Sequence, residues 1–229
     1  MFIFVFVKAK NEMNLSRNNE PLSSLTAFIG LLLSIAGLVL LVVFAVLYGR
    51  TRHVVGFSIF GSGLILLYLV SAVYHLIPKT HRAKEIFRVL DHSMIYLFIA
   101  STYTPILLVL PQRGWGWSLF GVIWGLAGIG IALKIMVRNE KTWLVPLPYV
   151  VMGWLGIIAL PILLKSLSPG ALWWLMGGGV LYSLGIVFFV LGRVRPQKGY
   201  FGMHEVFHLF VIGASFSHFW LMFRYVLYL

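Results

Sequence analysis

Seven runs of nearly uninterrupted apolar residues, at about 22–48, 54–76, 92–110, 115–136, 143–164, 171–191 and 206–227, alternate with short polar breaks. Each run is close to or above the roughly 20 residues with which an α-helix crosses a hydrocarbon core of about 30 Å. A helix also satisfies its own backbone polar groups, which lipid cannot do. The breaks carry turn and charge signals: Gly49-Arg50-Thr51-Arg52, Pro111-Gln112-Arg113-Gly114, Arg138-Asn139-Glu140-Lys141, Ser166-Leu167-Ser168-Pro169-Gly170, and the stretch from Arg193 to Gly199. Connections this short make neighbours in sequence neighbours in space. The pattern therefore predicts an all-α integral membrane protein, a single seven-helix transmembrane domain over 22–229 behind a short tail at 1–21. The apolar opening Met1 to Val7 is too short to span, has no basic stretch before it and runs into Lys8, Lys10 and Arg17, so it reads as tail rather than signal peptide.

Composition narrows the chemistry. Of the 229 residues 60% are hydrophobic and 10% charged, which leaves no room for a separate soluble domain beside seven spans. There is no cysteine, so disulfides, iron–sulfur clusters, thiolate zinc sites and cysteine nucleophiles are excluded, and any metal must sit on histidine or carboxylate. The formal charge of +12 would point to nucleic acid in a soluble protein; here it is a loop property, and no nucleic-acid partner is expected.

Assigning the basic residues to the tail and every second loop places 13 of 18 on one side. These are Lys8, Lys10 and Arg17, then Lys79, Arg82, Lys84 and Arg88, then Lys134, Arg138 and Lys141, and finally Arg193, Arg195 and Lys198. The positive-inside rule then predicts a cytoplasmic N-terminus and an external C-terminus, in a multi-pass protein of the cell membrane. All six acids (Glu12, Glu20, Glu85, Asp91, Glu140 and Glu205) fall on the same cytoplasmic side, so acid–base chemistry is expected there. The basic stretch from Lys79 to Arg88 reads as an interfacial turn that contacts anionic phospholipid. A retinal protein needs a lysine in its last helix, and 206–227 contains none, which excludes that class.

Seven histidines in so apolar a chain are costly without partners. His204 and His208 stand four apart at the start of the seventh run, which puts both imidazoles on one helix face about 6 Å apart along the axis. Ser71 and His75, also four apart, lie at the cytoplasmic end of the second run, and Asp91 lies at the start of the third. Such a histidine pair alone is often only interfacial; a third histidine, an acid and a serine on the same side point to a metal centre. Three neutral imidazoles around Zn2+ leave a fourth position for water. In that arrangement Asp91 serves as general base and Ser71 donates to a developing oxyanion.

His204-Glu205-Val206-Phe207-His208 also matches a short zinc-protease string, and Glu205 either acts as base or caps the seventh helix. His218, fourteen residues after His204, lies about 21 Å deeper and cannot share the ion. It is expected to hydrogen-bond a neighbouring helix or to line a polar cavity. His92 is expected to face another helix surface, and His53 and His81 read as loop residues without partners.

Four segments taken in order resemble the hemolysin III family: Ser71-Ala72-Val73-Tyr74-His75, Asp91-His92-Ser93, Thr102-Tyr103-Thr104-Pro105, and His204-Glu205-Val206-Phe207-His208. That family is the bacterial branch of the progestin and adipoQ receptor proteins, related more distantly to the alkaline ceramidases. The likeness covers the chain after about residue 20. It implies seven helices with a cytoplasmic N-terminus, a zinc held by His75, His204 and His208, and Asp91 and Ser71 around a metal-bound water. Its relatives make hydrolysis of a ceramide-like lipid amide, or of a lipid ester, the expected activity. A non-enzymatic receptor or sensor with structural zinc, and a hemolysin-like pore former, are the alternatives. One departure stands out: where family members carry histidine early in the first span, this chain reads Thr26-Ala27-Phe28-Ile29-Gly30.

Overall fold

The structure, a computed structural model, describes residues 20–137, 146–194 and 201–229, with the side chain of Arg193 not described. Residues 1–19 of the expected tail, and the loop charges Arg138, Glu140, Lys141, Arg195 and Lys198, lie outside the described residues. Among the described residues seven segments are long and apolar enough to cross a membrane, and no strand is present. The helices are α1 (Pro21–Tyr48), α2 (Thr51–Leu76), α3 (Ala83–Val109), α4 (Arg113–Met136), α5 (Leu147–Trp154), α6 (Leu160–Ser166), α7 (Pro169–Val194) and α8 (Met203–Arg224). The fifth span is the composite of α5, the 3-10 turn Leu155–Ala159 and α6. A last 3-10 turn, Val226–Tyr228, follows α8.

Packing follows sequence order. Helix α1 lies on α2, α2 on α3, α3 on α4 and α7 on α8, while α8 returns to α1 and closes the bundle. Helix α3 is the most deeply buried of the seven spans and carries Pro105 in its interior. Close approach to its neighbour is possible because α2 offers Gly56 opposite Pro105, where an added Cβ would lie 2.8 Å from the proline Cα. Fully buried Phe57 and Phe60 of α2 and Leu221 and Met222 of α8 belong to one hydrophobic core. Halfway through the bundle the Ser215 hydroxyl sits 3.0 Å from the phenol oxygens of both Tyr68 and Tyr182, joining α2, α7 and α8 through buried polar groups.

Two helix starts differ from the sequence expectation, each for a local reason. Helix α3 starts nine residues before the apolar run at 92. Its first turns are polar, with Glu85 and Arg88 ion-paired one turn apart, so hydropathy misses them although they are helical. Most of the expected interfacial turn from Lys79 to Arg88 is therefore helix, and Asp91 sits two turns inside α3 rather than at its start. His53 belongs to the first turn of α2, 2% exposed, where its Nδ1 accepts the Arg50 N–H at 2.9 Å. His81 precedes α3, and its Nδ1 accepts the Ala83 N–H at 3.1 Å. Neither is a loop residue without a partner; both satisfy backbone donors where a helix begins.

The fifth span is broken because Pro161 cannot donate to a carbonyl one turn back, and the chain tightens into a 3-10 turn before it. The Tyr103 hydroxyl of α3 covers that break: it accepts the Gly156 N–H at 2.9 Å and donates to the Gly153 carbonyl. Tyr103→Phe is expected to destabilise the detergent-purified protein by about 1–3 kcal/mol, because backbone groups in apolar surroundings lose their partner. A thermal melt that matches the parent would show that the break is satisfied without the phenol.

Candidate metal centre

The centre forms where the ends of α2 and α8 meet the start of α1. Helical periodicity alone puts His204 and His208 on one face of α8, and their ring centroids are 4.7 Å apart. His75, in the last turn of α2, comes to both: its ring centroid is 4.9 Å from that of His204 and 5.1 Å from that of His208. One nitrogen from each ring falls within 4.8 Å of the other two, and the Nε2 atoms of His75 and His204 are 3.2 Å apart. His75 and His208 are buried at 2% and 7% exposure, and His204 is partly buried.

The outer nitrogens of His75 and His208 are already engaged by oxygen. His75 Nδ1 lies 2.7 Å from a carboxylate oxygen of Glu20, the residue immediately before α1. His208 Nδ1 lies 2.8 Å from Thr26 Oγ1 in the second turn of α1. A ring whose Nδ1 is bonded to oxygen in this way presents Nε2 inward, the usual arrangement of metal-ligating histidine. Three imidazole nitrogens converging at this spacing fit a divalent ion that accepts nitrogen ligands in tetrahedral geometry, with nitrogens about 2.0–2.1 Å from the metal.

Glu20 does more than touch His75. Its other oxygen is 3.1 Å from Lys79 Nζ, and Lys84 Nζ lies 3.8 Å from the oxygen that His75 uses. The hydrogen bond from His75 holds the Glu20 carboxyl well below the usual carboxylate range; partial burial works against this, and the positive charge of Lys79 adds to it. Lys84 is fixed in turn, donating to the Tyr74 carbonyl at 2.7 Å and lying 3.9 Å over the Tyr74 ring.

Asp91 is close enough to His75 and His208 to interact with both electrostatically, and its Oδ2 is 3.4 Å from the Nδ1 of its neighbour His92. Ser71 is buried one turn before His75 on the same face of α2. Glu205 resolves as a cap: one oxygen accepts the Gly202 N–H at 2.7 Å, the other the Ser23 hydroxyl. His218 is buried far down α8 with its Nε2 3.3 Å from the Leu175 carbonyl of α7, the interhelical hydrogen bond expected of it. His92 is not among the three converging rings; its Nδ1 lies 2.9 Å from the Arg88 carbonyl and its ring lies beside Phe189 of α7.

Sequence reasoning missed Glu20, Ser23 and Thr26. Glu20 stood out only as one of six acids in the chain, directly before the first span. Ala27, at the position of the missing histidine, is buried at 1% exposure, and the first helix reaches the centre through other residues.

The family model described as Haemolysin-III related matches residues 15–219. The chain is similar to Hemolysin-3 of Bacillus cereus, with 39% identity over 208 residues covering 91% of this chain and 92% of that protein. To the Hemolysin-3 homolog of Bacillus subtilis (strain 168) it is 40% identical over 207 residues, 90% of this chain and 93% of that one. A more distant relative is the human Monocyte to macrophage differentiation factor, 30% identical over 173 residues, 73% of this chain and 69% of the relative. With seven membrane-crossing helices and relatives that match along nearly their whole length, this multi-pass membrane protein belongs to the hemolysin III family.

Proposed function

We propose that the chain is a zinc-dependent membrane hydrolase that cleaves a lipid amide, or a lipid ester, at the cytoplasmic leaflet. The observation that supports this reading best is the convergence of His75, His204 and His208 on one point with Asp91 in electrostatic reach. Zinc bound there would supply Lewis acidity toward a carbonyl oxygen and toward water. The three imidazoles hold it while Glu20 and Thr26 keep the rings in place. Asp91 takes the proton from the attacking water and returns it to the leaving amine or alkoxide, so that acid and base balance over one turnover. Ser71 Oγ–H donates to the oxyanion as the carbonyl becomes tetrahedral. The acyl chain lies between helices, and the basic residues at Lys79 to Arg88 meet anionic phospholipid headgroups.

A second reading, a receptor or sensor with a structural metal, has one observation in its favour: α2 and α8 share little direct backbone packing, so an ion on His75, His204 and His208 would tie them together. Zinc-loaded protein in liposomes doped with a long-chain ceramide, or made of phosphatidylcholine alone, separates the readings. Hydrolysis requires fatty acid release from one of these that stops with chelator and returns with zinc. Zinc binding with no release from either favours the structural metal. Dye leakage at equal rates from parent and from a His204→Ala/His208→Ala variant favours the pore that the relatives' name suggests.

A further inference from the structure

Residues 20, 23 and 26 are spaced three apart at the start of α1, so they share one helix face. Each touches a different point of the metal centre. Glu20 receives His75 Nδ1 of α2, Ser23 donates to Glu205 of α8, and Thr26 meets His208 Nδ1 of α8. Helix α1 packs against both ligand-bearing helices, which pack little against each other. We infer that the start of α1 is the outer shell of the metal centre, with Glu20 and Thr26 as positioning residues that set metal affinity although α1 supplies no ligand.

A carboxylate only accepts, so the 2.7 Å contact with Glu20 requires a proton on His75 Nδ1, which in the neutral ring that binds a metal leaves the lone pair on Nε2. Thr26 has one hydroxyl proton and donates it to the Ser23 carbonyl at 2.9 Å. Its oxygen can then only accept from His208, which puts the proton on Nδ1 and the lone pair on Nε2 there too. Two rings on two helices are thus held in the one neutral tautomer that can ligate from Nε2. Ser23 adds the third grip: through Glu205 it fixes the first turn of α8, the turn that carries His204.

The inference rests on the metal-site part of the proposed function and not on hydrolysis, so binding is the readout. Purified full-length protein would be titrated with Zn2+ against a competing chelator, and with Co2+ by its visible spectrum, for the parent, Glu20→Gln, Thr26→Val and Thr26→Ser. Loss of an outer-shell partner typically weakens binding 10–100-fold. Glu20→Gln and Thr26→Val are each expected to show that loss with a shifted Co2+ spectrum, while Thr26→Ser, which keeps the acceptor oxygen, binds as the parent does. Thr26→Val preserves shape, so its metal-free melting temperature should match the parent, which a packing role alone would also give but with affinity unchanged. A parent that binds tightly alongside Glu20→Gln and Thr26→Val variants of equal affinity overturns this inference alone. A parent that binds neither ion overturns the metal reading, and this inference with it. If Glu20→Gln does not fold, the Thr26 pair decides.

Discussion

The His204→Ala/His208→Ala variant is expected to purify without bound metal, whereas the parent, prepared under metal-replete conditions, carries about one zinc per chain. The reason is geometric. Among the described residues three imidazole nitrogens meet at the centre, and α8 supplies two of them. His75 alone offers one ligand, far short of the multidentate site from which structural zinc derives apparent binding energies of roughly 10–16 kcal/mol in small domains. Metal content by atomic emission on parent and variant checks this, with the melting temperature of both measured after chelation. Equal metal in the two would place the ion elsewhere and remove the basis of the hydrolase reading. No metal in either would leave three converging histidines with hydrogen bonding as their whole chemistry.

Asp91→Asn should behave in the opposite way, retaining zinc and losing turnover by roughly 10²–10⁴-fold, the range of a missing general base. Asp91 is not one of the three groups that converge as ligands, so metal content should stay at the parental value. Asparagine keeps the shape and can still hydrogen-bond water, but it cannot take a proton from it. The lipid-amide or ester assay in liposomes, run beside the metal measurement, distinguishes the outcomes. Undiminished hydrolysis would exclude Asp91 as the base. Loss of zinc together with the fold would make Asp91 part of the scaffold. Its position two turns inside α3, the most buried helix, makes that distinction worth measuring.

The placement of this site was partly legible because helical spacing is a local property. His204 and His208 had to share a face once α8 was recognised, and Ser71 had to lie below His75 for the same reason. Asp91 was expected at the start of its helix, but that helix starts at Ala83 rather than at the apolar run. Hydropathy measures transfer to lipid, not helix formation, and the two diverge where a helix leaves the membrane with a charged face. The same blindness hid His53 and His81, which look like loop residues beside basic turns and are in fact acceptors for backbone N–H groups at helix starts. Glu205 could be read either way from its string, and the fold decided it through Gly202 and Ser23.

What the sequence determined by itself is the membrane class, the number of spans, the family, and the three ligand-type histidines with the helices that carry them. These follow from bilayer thickness, from the need to satisfy every backbone group inside lipid, and from the 3.6-residue helical repeat, all of which act over short stretches of chain. Only the tertiary structure decided which oxygen atoms stand behind the ligands. Glu20 meets His75 across 55 positions and Thr26 meets His208 across 182, separations over which no periodicity runs. Those contacts exist because the bundle closes, bringing α1 against both α2 and α8, and closure depends on how seven apolar surfaces pack rather than on how any one of them reads.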